Sequence, residues 1–273
     1  MPDTYTHGHH ASVLRSHRWR TAANSAAYLL AELHPGVDLL DLGCGPGTIT
    51  LDLAGRVAPG RVLGIDVSGD IVEEAAAAAS EAGCANATFA VGDAYALDLP
   101  DGTFDVVHAH QVLQHLGDPV AALREARRVL RPGGLLAVRD SDYAAFAWAP
   151  GDPRLDRWRE LYHRVTRHNG AQADAGRWLK AWVLAAGFAD VRTSSSTWTF
   201  ADAEDRAWWG GLWADRVRES SFATQAVEYG LSTPAELADL ADAFTSWAAS
   251  PEGVFVVLHV EVLARAPAAP SGD

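Results

Sequence analysis

Three glycines in GxGxG spacing, with an acid two positions ahead of the first, open the segment Asp41-Leu-Gly-Cys-Gly-Pro-Gly-Thr48-Ile49. Gly43, Gly45 and Gly47 allow a sharp backbone turn and a close approach to a ligand, with no side chain in the way. Two more acids recur downstream, Asp66 in VLGIDVS and Asp93 in Val91-Gly-Asp-Ala94. A carboxylate after the second strand of a nucleotide-binding sheet can accept two hydroxyl donors side by side, as a ribose diol requires. Asp93 is spaced to sit beside a base and accept from an exocyclic amine. A pyrophosphate is poorly served here: Asp41 lies close to where it would sit, and Thr48 stands where a GxGxxG fingerprint carries its last glycine. A ligand bearing an ammonium and a sulfonium suits the acid better.

These residues need a scaffold that brings strand ends together. Short apolar runs alternate with helical segments through the first half, the pattern of a parallel α/β sheet. Strands are expected at Asp38–Leu42, Arg61–Asp66, Ala87–Val91, Phe104–His108 and Leu135–Arg139, with helices near Thr48–Val57, Asp70–Ala82 and Pro119–Leu130. Two later strands are expected at Val191–Phe200 and Val254–Ala264. A helix from about Ser12 to Leu33 precedes the sheet, and a mostly helical stretch, Asp202–Ala249, precedes the last strand. Such an insertion can cap a pocket. The organisation expected is a helical flap over 1–35 and one domain over 36–265. That domain divides into a cofactor-binding half (36–141) and a substrate-recognition half (142–265), the latter with a helical cap at about 202–249. A Pro- and Ala-rich tail over 266–273 is expected to be disordered.

The acids and the glycine spacing together favour S-adenosylmethionine over a nicotinamide or flavin dinucleotide. The strings VDLLDLGCGPGTIT, VLGIDVS, VGDAYALDLPDGTFDVVHAHQVLQHLGDP and LRPGGLLAVRD resemble the class I S-adenosylmethionine-dependent methyltransferases. More narrowly they look like the small-molecule group that contains the ubiquinone and menaquinone biosynthesis enzymes. The likeness covers residues 36–140 and fades beyond 142. It implies a Rossmann-like, seven-stranded, mostly parallel sheet with helices on both faces. It also implies roles: Gly43, Gly45 and Gly47 cradle the methionine part and ribose, Asp66 binds the ribose diol, and Val67 lies against the adenine. Asp93 and Ala94 meet the adenine amine and ring, and His110 and Gln111 line the floor near the methionine carboxylate and sulfonium. Arg20, with His17 at helical spacing, is expected to reach that carboxylate.

Methyl transfer from a sulfonium is an in-line displacement that depends chiefly on alignment. A base is required only where the acceptor must lose a proton. His110, His115, Asp140, Asp142 and Tyr143 fall near the expected strand ends, and the histidines are the natural choice near neutral pH. His7, His9 and His10 have no acid or cysteine nearby to complete a ligand set, so no metal is expected. Nine of the ten tryptophans lie after residue 147. That bias points to an aromatic pocket and to an aromatic or apolar acceptor. In Trp208-Trp209 only one ring can face inward, so the other is expected to face a pocket or partner.

A net charge of −13 argues against nucleic acid as partner, because phosphate neutralisation needs a basic face. Two cysteines, Cys44 and Cys84, make no disulfide framework. With no apolar leader and no run long enough to span a membrane, a cytoplasmic protein is expected, compatible with a homodimer. Readings left open are an S-adenosylmethionine-binding enzyme that catalyses a cyclisation, a cofactor-binding pseudoenzyme that regulates a partner and, behind these, a dinucleotide oxidoreductase.

Overall fold

Alternation within the apolar strands decides how this sheet is covered. The computed structural model describes residues 5, 6, 8 and 10–268. It opens with helices α1 (Ala11–Arg18), α2 (Ala22–Ser25) and α3 (Ala27–Leu30). There follow β1 (Leu39–Leu42), α4 (Thr48–Val57), β2 (Val62–Asp66), α5 (Gly69–Glu81), β3 (Ala87–Val91), β4 (Phe104–His110), α6 (Pro119–Val129) and β5 (Leu130–Ser141). The second half contains β6 (Ala147–Ala149), α7 (Pro153–His168), α8 (Ala175–Ala185), β7 (Ala189–Phe200), α9 (Ala203–Glu219), α10 (Ser221–Glu228), α11 (Pro234–Ala249) and β8 (Val254–Arg265).

The strands run side by side as β3-β2-β1-β4-β5-β8, with β7 on the far side of β8. Neighbours from β3 to β5 are parallel, and β8 is antiparallel to both β5 and β7. The seven expected lanes are therefore present. The short additional strand β6 pairs with the start of β8 and prolongs the lane of β5. Leu40, Leu42, Val107, Ala109, Leu136 and Val138 pack with α6 and α8 on one face. Their neighbours Leu39, Val106, Leu135 and Ala137 pack with α4 and the amino-terminal helices on the other. Period-2 alternation of apolar residues on both faces is what a sheet buried between helix layers requires.

The single helix expected from Ser12 to Leu33 is broken. Thr21 takes extended backbone angles and forms a reciprocal cap with Asn24: the Asn24 N–H donates to Thr21 Oγ1 (3.2 Å), and the Thr21 N–H donates to Asn24 Oδ1 (2.8 Å). Such a cap starts a new helix rather than continuing the old one. The break turns Arg20 inward. Residues 269–273 of the expected disordered tail lie outside the described residues, as do His7 and His9. Ala266 is buried, and its N–H donates to Gly134 O at 2.9 Å. Among the described residues no helix is long and apolar enough to cross a membrane.

Helices α7, α9 and α11 form a third core with the ends of β7 and β8. Trp158, fully buried, sits at its centre against Trp213 (ring centroids 4.5 Å) and Phe244 (5.1 Å). Truncating a core tryptophan removes the transfer term and leaves a cavity. Trp158→Ala is therefore expected to cost about 3–5 kcal/mol, read as a drop in the urea midpoint at constant slope.

Candidate active site

A cavity of about 580 Å³ opens beyond the carboxyl ends of β1, β2 and β4, where open parallel sheets bind their ligands. Its near wall is the glycine loop between β1 and α4. Gly43, Gly45 and Gly47 take φ of +69°, +54° and +82°, angles that other residues adopt only with strain. A Cβ on Gly43 would lie 2.4 Å from Val112 Cγ2, so only glycine lets the loop pack on the turn after β4. At Gly45 a Cβ would meet, within 4 Å among the described residues, His17 Nδ1 alone, at 3.8 Å, because this stretch of backbone faces the open cavity. Asp66 ties that stretch to the end of β2. Its Oδ2 accepts from the Gly45 N–H (3.0 Å) and its Oδ1 from the Ser68 N–H (3.1 Å). Beyond it Val67 is 76% exposed, an apolar side chain presented at the cavity wall. Asp93 and Ala94 line the same end, with Asp93 Oδ1 accepting from the Tyr95 N–H at 2.9 Å.

Asp41 also reaches the cavity wall, but its buried carboxylate is engaged. Oδ2 accepts from Thr50 Oγ1 (2.5 Å), and Oδ1 lies 2.7 Å from His108 Nδ1. The acid expected to face the ligand thus braces β1 against α4 and β4. Gly47 does not line the cavity. It precedes α4, and a Cβ there would press on Phe89 and Ala75 at 3.0 and 3.1 Å.

The floor is built by the end of β4. Gln111 takes φ +54°, a left-handed conformation costly for a non-glycine residue and typical of functional turns. Its side chain bridges two sides of the cavity: Oε1 accepts from Arg20 Nη2 (2.6 Å), and Nε2 lies 2.7 Å from His259 Nε2. His110 lines the cavity and is 5% exposed, and among the described residues neither ring nitrogen has a hydrogen-bond partner. Burial, then the charges of Arg20 and Arg139, hold it well below the usual imidazole range. His115 is pushed down to about 3 by burial, with Arg20 and Arg216 adding to the effect. Both histidines are neutral at physiological pH.

The far end is aromatic. Tyr143, Phe146, Trp198, Trp209 and Trp213 line it together with Val257. Trp209 stacks on Phe200 at 4.3 Å, whereas Trp208 packs against Trp19 at 5.2 Å. Two cations also reach the cavity, the half-buried Arg20 and the buried Arg216, and neither has a carboxylate partner among the described residues. Arg20 is pushed down to about 10 by burial. Asp140, fully buried near this end, is pushed up to about 8 by burial, so it is largely uncharged at neutral pH and does not balance them.

The structure thus brings Arg20, Asp41, Gly43, Gly45, Asp66, Val67, Asp93, Ala94, His110, Gln111 and His115 to one cavity. Tyr143 lines it, whereas Asp142 is taken up by Arg177 (2.6 and 2.7 Å). Sequence reasoning did not single out Tyr5, Ser141 or Arg216 as lining residues. One signal for Arg216 was available: Trp209, Trp213 and Arg216 stand at i, i+4 and i+7, a single helix face.

A methyltransferase-domain family model matches residues 33–182. A protein of Schizosaccharomyces pombe named an uncharacterized methyltransferase is 36% identical over 80% of this chain and 81% of its own. A probable methyltransferase of Aspergillus luteorubrus is 31% identical over 96% of this chain and 97% of its own. Among solved structures, the [4+2]-cyclase SpnF superposes with a TM-score of 0.57 at 28% identity, covering 89% of this chain and 81% of that one.

Proposed function

The chain belongs to the class I S-adenosylmethionine-dependent methyltransferases, and we propose that its acceptor is a small aromatic or otherwise apolar molecule seated against the tryptophans. One observation carries this reading. The cavity has two chemically distinct ends, an acidic and glycine-rich one at Asp66 and Asp93 and an aromatic one at Trp198, Trp209 and Trp213.

The residues present fit the cofactor. The open space before Gly45 admits a ligand against bare backbone, and Val67 offers an exposed apolar surface to a purine. When bound, S-adenosylmethionine supplies a methyl group activated on a sulfonium and leaves as S-adenosylhomocysteine. In our reading Asp66 accepts from the ribose hydroxyls while keeping Gly45 in place, and Gly43 and Gly47 hold the loop in its turn. Val67 and Ala94 flank the adenine, and Asp93 accepts from its amine. Arg20, steadied by Gln111, pairs with the methionine carboxylate. Asp41 acts through His108 and Thr50, fixing the loop's root. His110, neutral, accepts from the cofactor ammonium through its one unprotonated ring nitrogen. Rate then comes chiefly from alignment of the acceptor with the methyl group.

His110 and His115 are also the side chains placed to take a proton from the acceptor. Burial and the two arginines make an imidazolium costly at both positions. The site therefore favours acceptors that arrive ionised or have no proton to lose. His115→Gln is expected to lower kcat by less than about tenfold, whereas a loss of roughly 10²–10⁴ would identify it as a general base.

A second reading, a cyclisation within the aromatic end, is supported by the likeness to the [4+2]-cyclase. Incubation with methyl-labelled S-adenosylmethionine and extract of the encoding cells, followed by mass spectrometry, separates the two. Methyl transfer gives a labelled product and an equivalent of S-adenosylhomocysteine. A cyclisation gives a rearranged product without label.

A further inference from the structure

We infer that Arg216 recognises an acidic oxygen on the acceptor, so that the acceptor is an aromatic or apolar acid bound as its anion. The inference rests on the acceptor reading above and names the chemical class of that molecule.

Arg216 is 5% exposed and lines the aromatic end of the cavity. It projects from the same face of α9 as Trp209 and Trp213, and its guanidinium carbon lies 4.7 Å from the Trp213 ring centroid. Nη2 donates to Ser12 O (3.3 Å) and Ser16 Oγ (3.0 Å), both neutral, and among the described residues Nε has no hydrogen-bond partner. A buried guanidinium without a counter-charge is costly, and a fold that places one at a ligand cavity leaves that charge for the ligand to answer.

The surrounding groups do not answer it. The phenols of Tyr5, Tyr143 and Tyr162 are its largest electrostatic neighbours, and burial raises all three, Tyr5 to about 12. All three are neutral hydroxyls at physiological pH. Arg15 on α1 is a further cation, already paired with Asp215. The cofactor brings two positive groups and one carboxylate, and Arg20 claims that carboxylate. An acceptor anion is the remaining source of negative charge. Arginine's planar fork suits a carboxylate or an ionised phenol or enol, and the flanking indoles suit the apolar body that carries it.

The test uses the full chain saturated with S-adenosylhomocysteine. Benzoate, 2-naphthoate and indole-3-carboxylate are titrated against their primary amides, with tryptophan fluorescence as the readout. At least one acid is expected to bind tenfold or more tightly than its amide. Arg216→Met should bring that ratio to within about twofold and Arg216→Lys should retain part of it. S-adenosylhomocysteine affinity, measured by calorimetry, should stay within about twofold of wild type in both variants, since Arg216 is assigned no cofactor contact. Equal binding of acid and amide by wild type, no binding of any of the acids, or an acid preference that survives Arg216→Met would overturn the inference. If Arg216→Met fails to fold, the wild-type ratio and the lysine variant decide. Loss of S-adenosylhomocysteine binding by wild type would count against the methyltransferase reading, a separate failure.

Discussion

Asp66→Ala is expected to raise the dissociation constant for S-adenosylhomocysteine by roughly two to three orders of magnitude, while the protein remains folded. Two losses combine. Charge-assisted hydrogen bonds from the ribose hydroxyls contribute about 1.5–3 kcal/mol when both partners are desolvated. The second loss is organisational, because Asp66 Oδ2 holds the Gly45 N–H and Oδ1 holds the Ser68 N–H. Without the carboxylate, the glycine loop must be ordered at the moment of binding. The fold should tolerate the change, because Asp66 is only half-buried and sits at the end of β2, outside the three apolar cores. Asp66→Asn separates the terms: it keeps one acceptor oxygen but no charge, and an intermediate loss of about ten- to a hundredfold is expected. Calorimetric titration read beside a ligand-free melting curve checks both variants. Unchanged affinity in Asp66→Ala would remove Asp66 from the site and leave it a turn residue.

The features legible in the sequence are those that local spacing governs. Glycines within one strand–turn–helix unit carry their own geometry, and an acid at the end of the next parallel strand must land beside them. That is why Gly43, Gly45, Asp66 and Asp93 meet in one cavity. Spacing does not report which way each residue points once packing is satisfied. Gly47 faces Phe89 and Ala75, and the carboxylate of Asp41 is held by His108, a strand neighbour that only the β1–β4 register brings alongside. The break before α2 was hidden because asparagine, rather than the usual glutamate or glutamine, completes its reciprocal cap. Arg216 was hidden for a different reason. Its cavity position depends on α9 packing across α1, far away in sequence, where Ser12 and Ser16 receive its Nη2. A tryptophan-rich helix marks a core in sequence, but only the tertiary arrangement shows which of its faces is left to a ligand.

Arg20 should reveal the balance between stability and binding at this site. Arg20→Met is expected to raise the melting temperature of the ligand-free protein by a few degrees, equivalent to about 1–2 kcal/mol. The same change should weaken S-adenosylhomocysteine binding by roughly ten- to a hundredfold. In the ligand-free protein the guanidinium is sealed at Nε, bonded through Nη2 to the neutral Gln111 and, among the described residues, without a carboxylate partner. Methionine fills similar space with no charge to desolvate, and Gln111 keeps its contact with His259. The pH dependence follows from burial pushing Arg20 down to about 10. Because the folded-state value is below the unfolded one, the unfolded chain holds this proton more tightly. The penalty on folding is therefore fully present below about pH 10 and fades only above it, so the gain in stability should be flat from about pH 6 to about pH 9. Saturating ligand should reverse the order, since wild type gains more from mass action than a variant that binds weakly. Melting curves with and without S-adenosylhomocysteine should thus cross between the two proteins. If the variant is stabilised but binds as tightly as wild type, Arg20 does not touch the methionine carboxylate, and the cavity's positive charge must be answered by the acceptor alone.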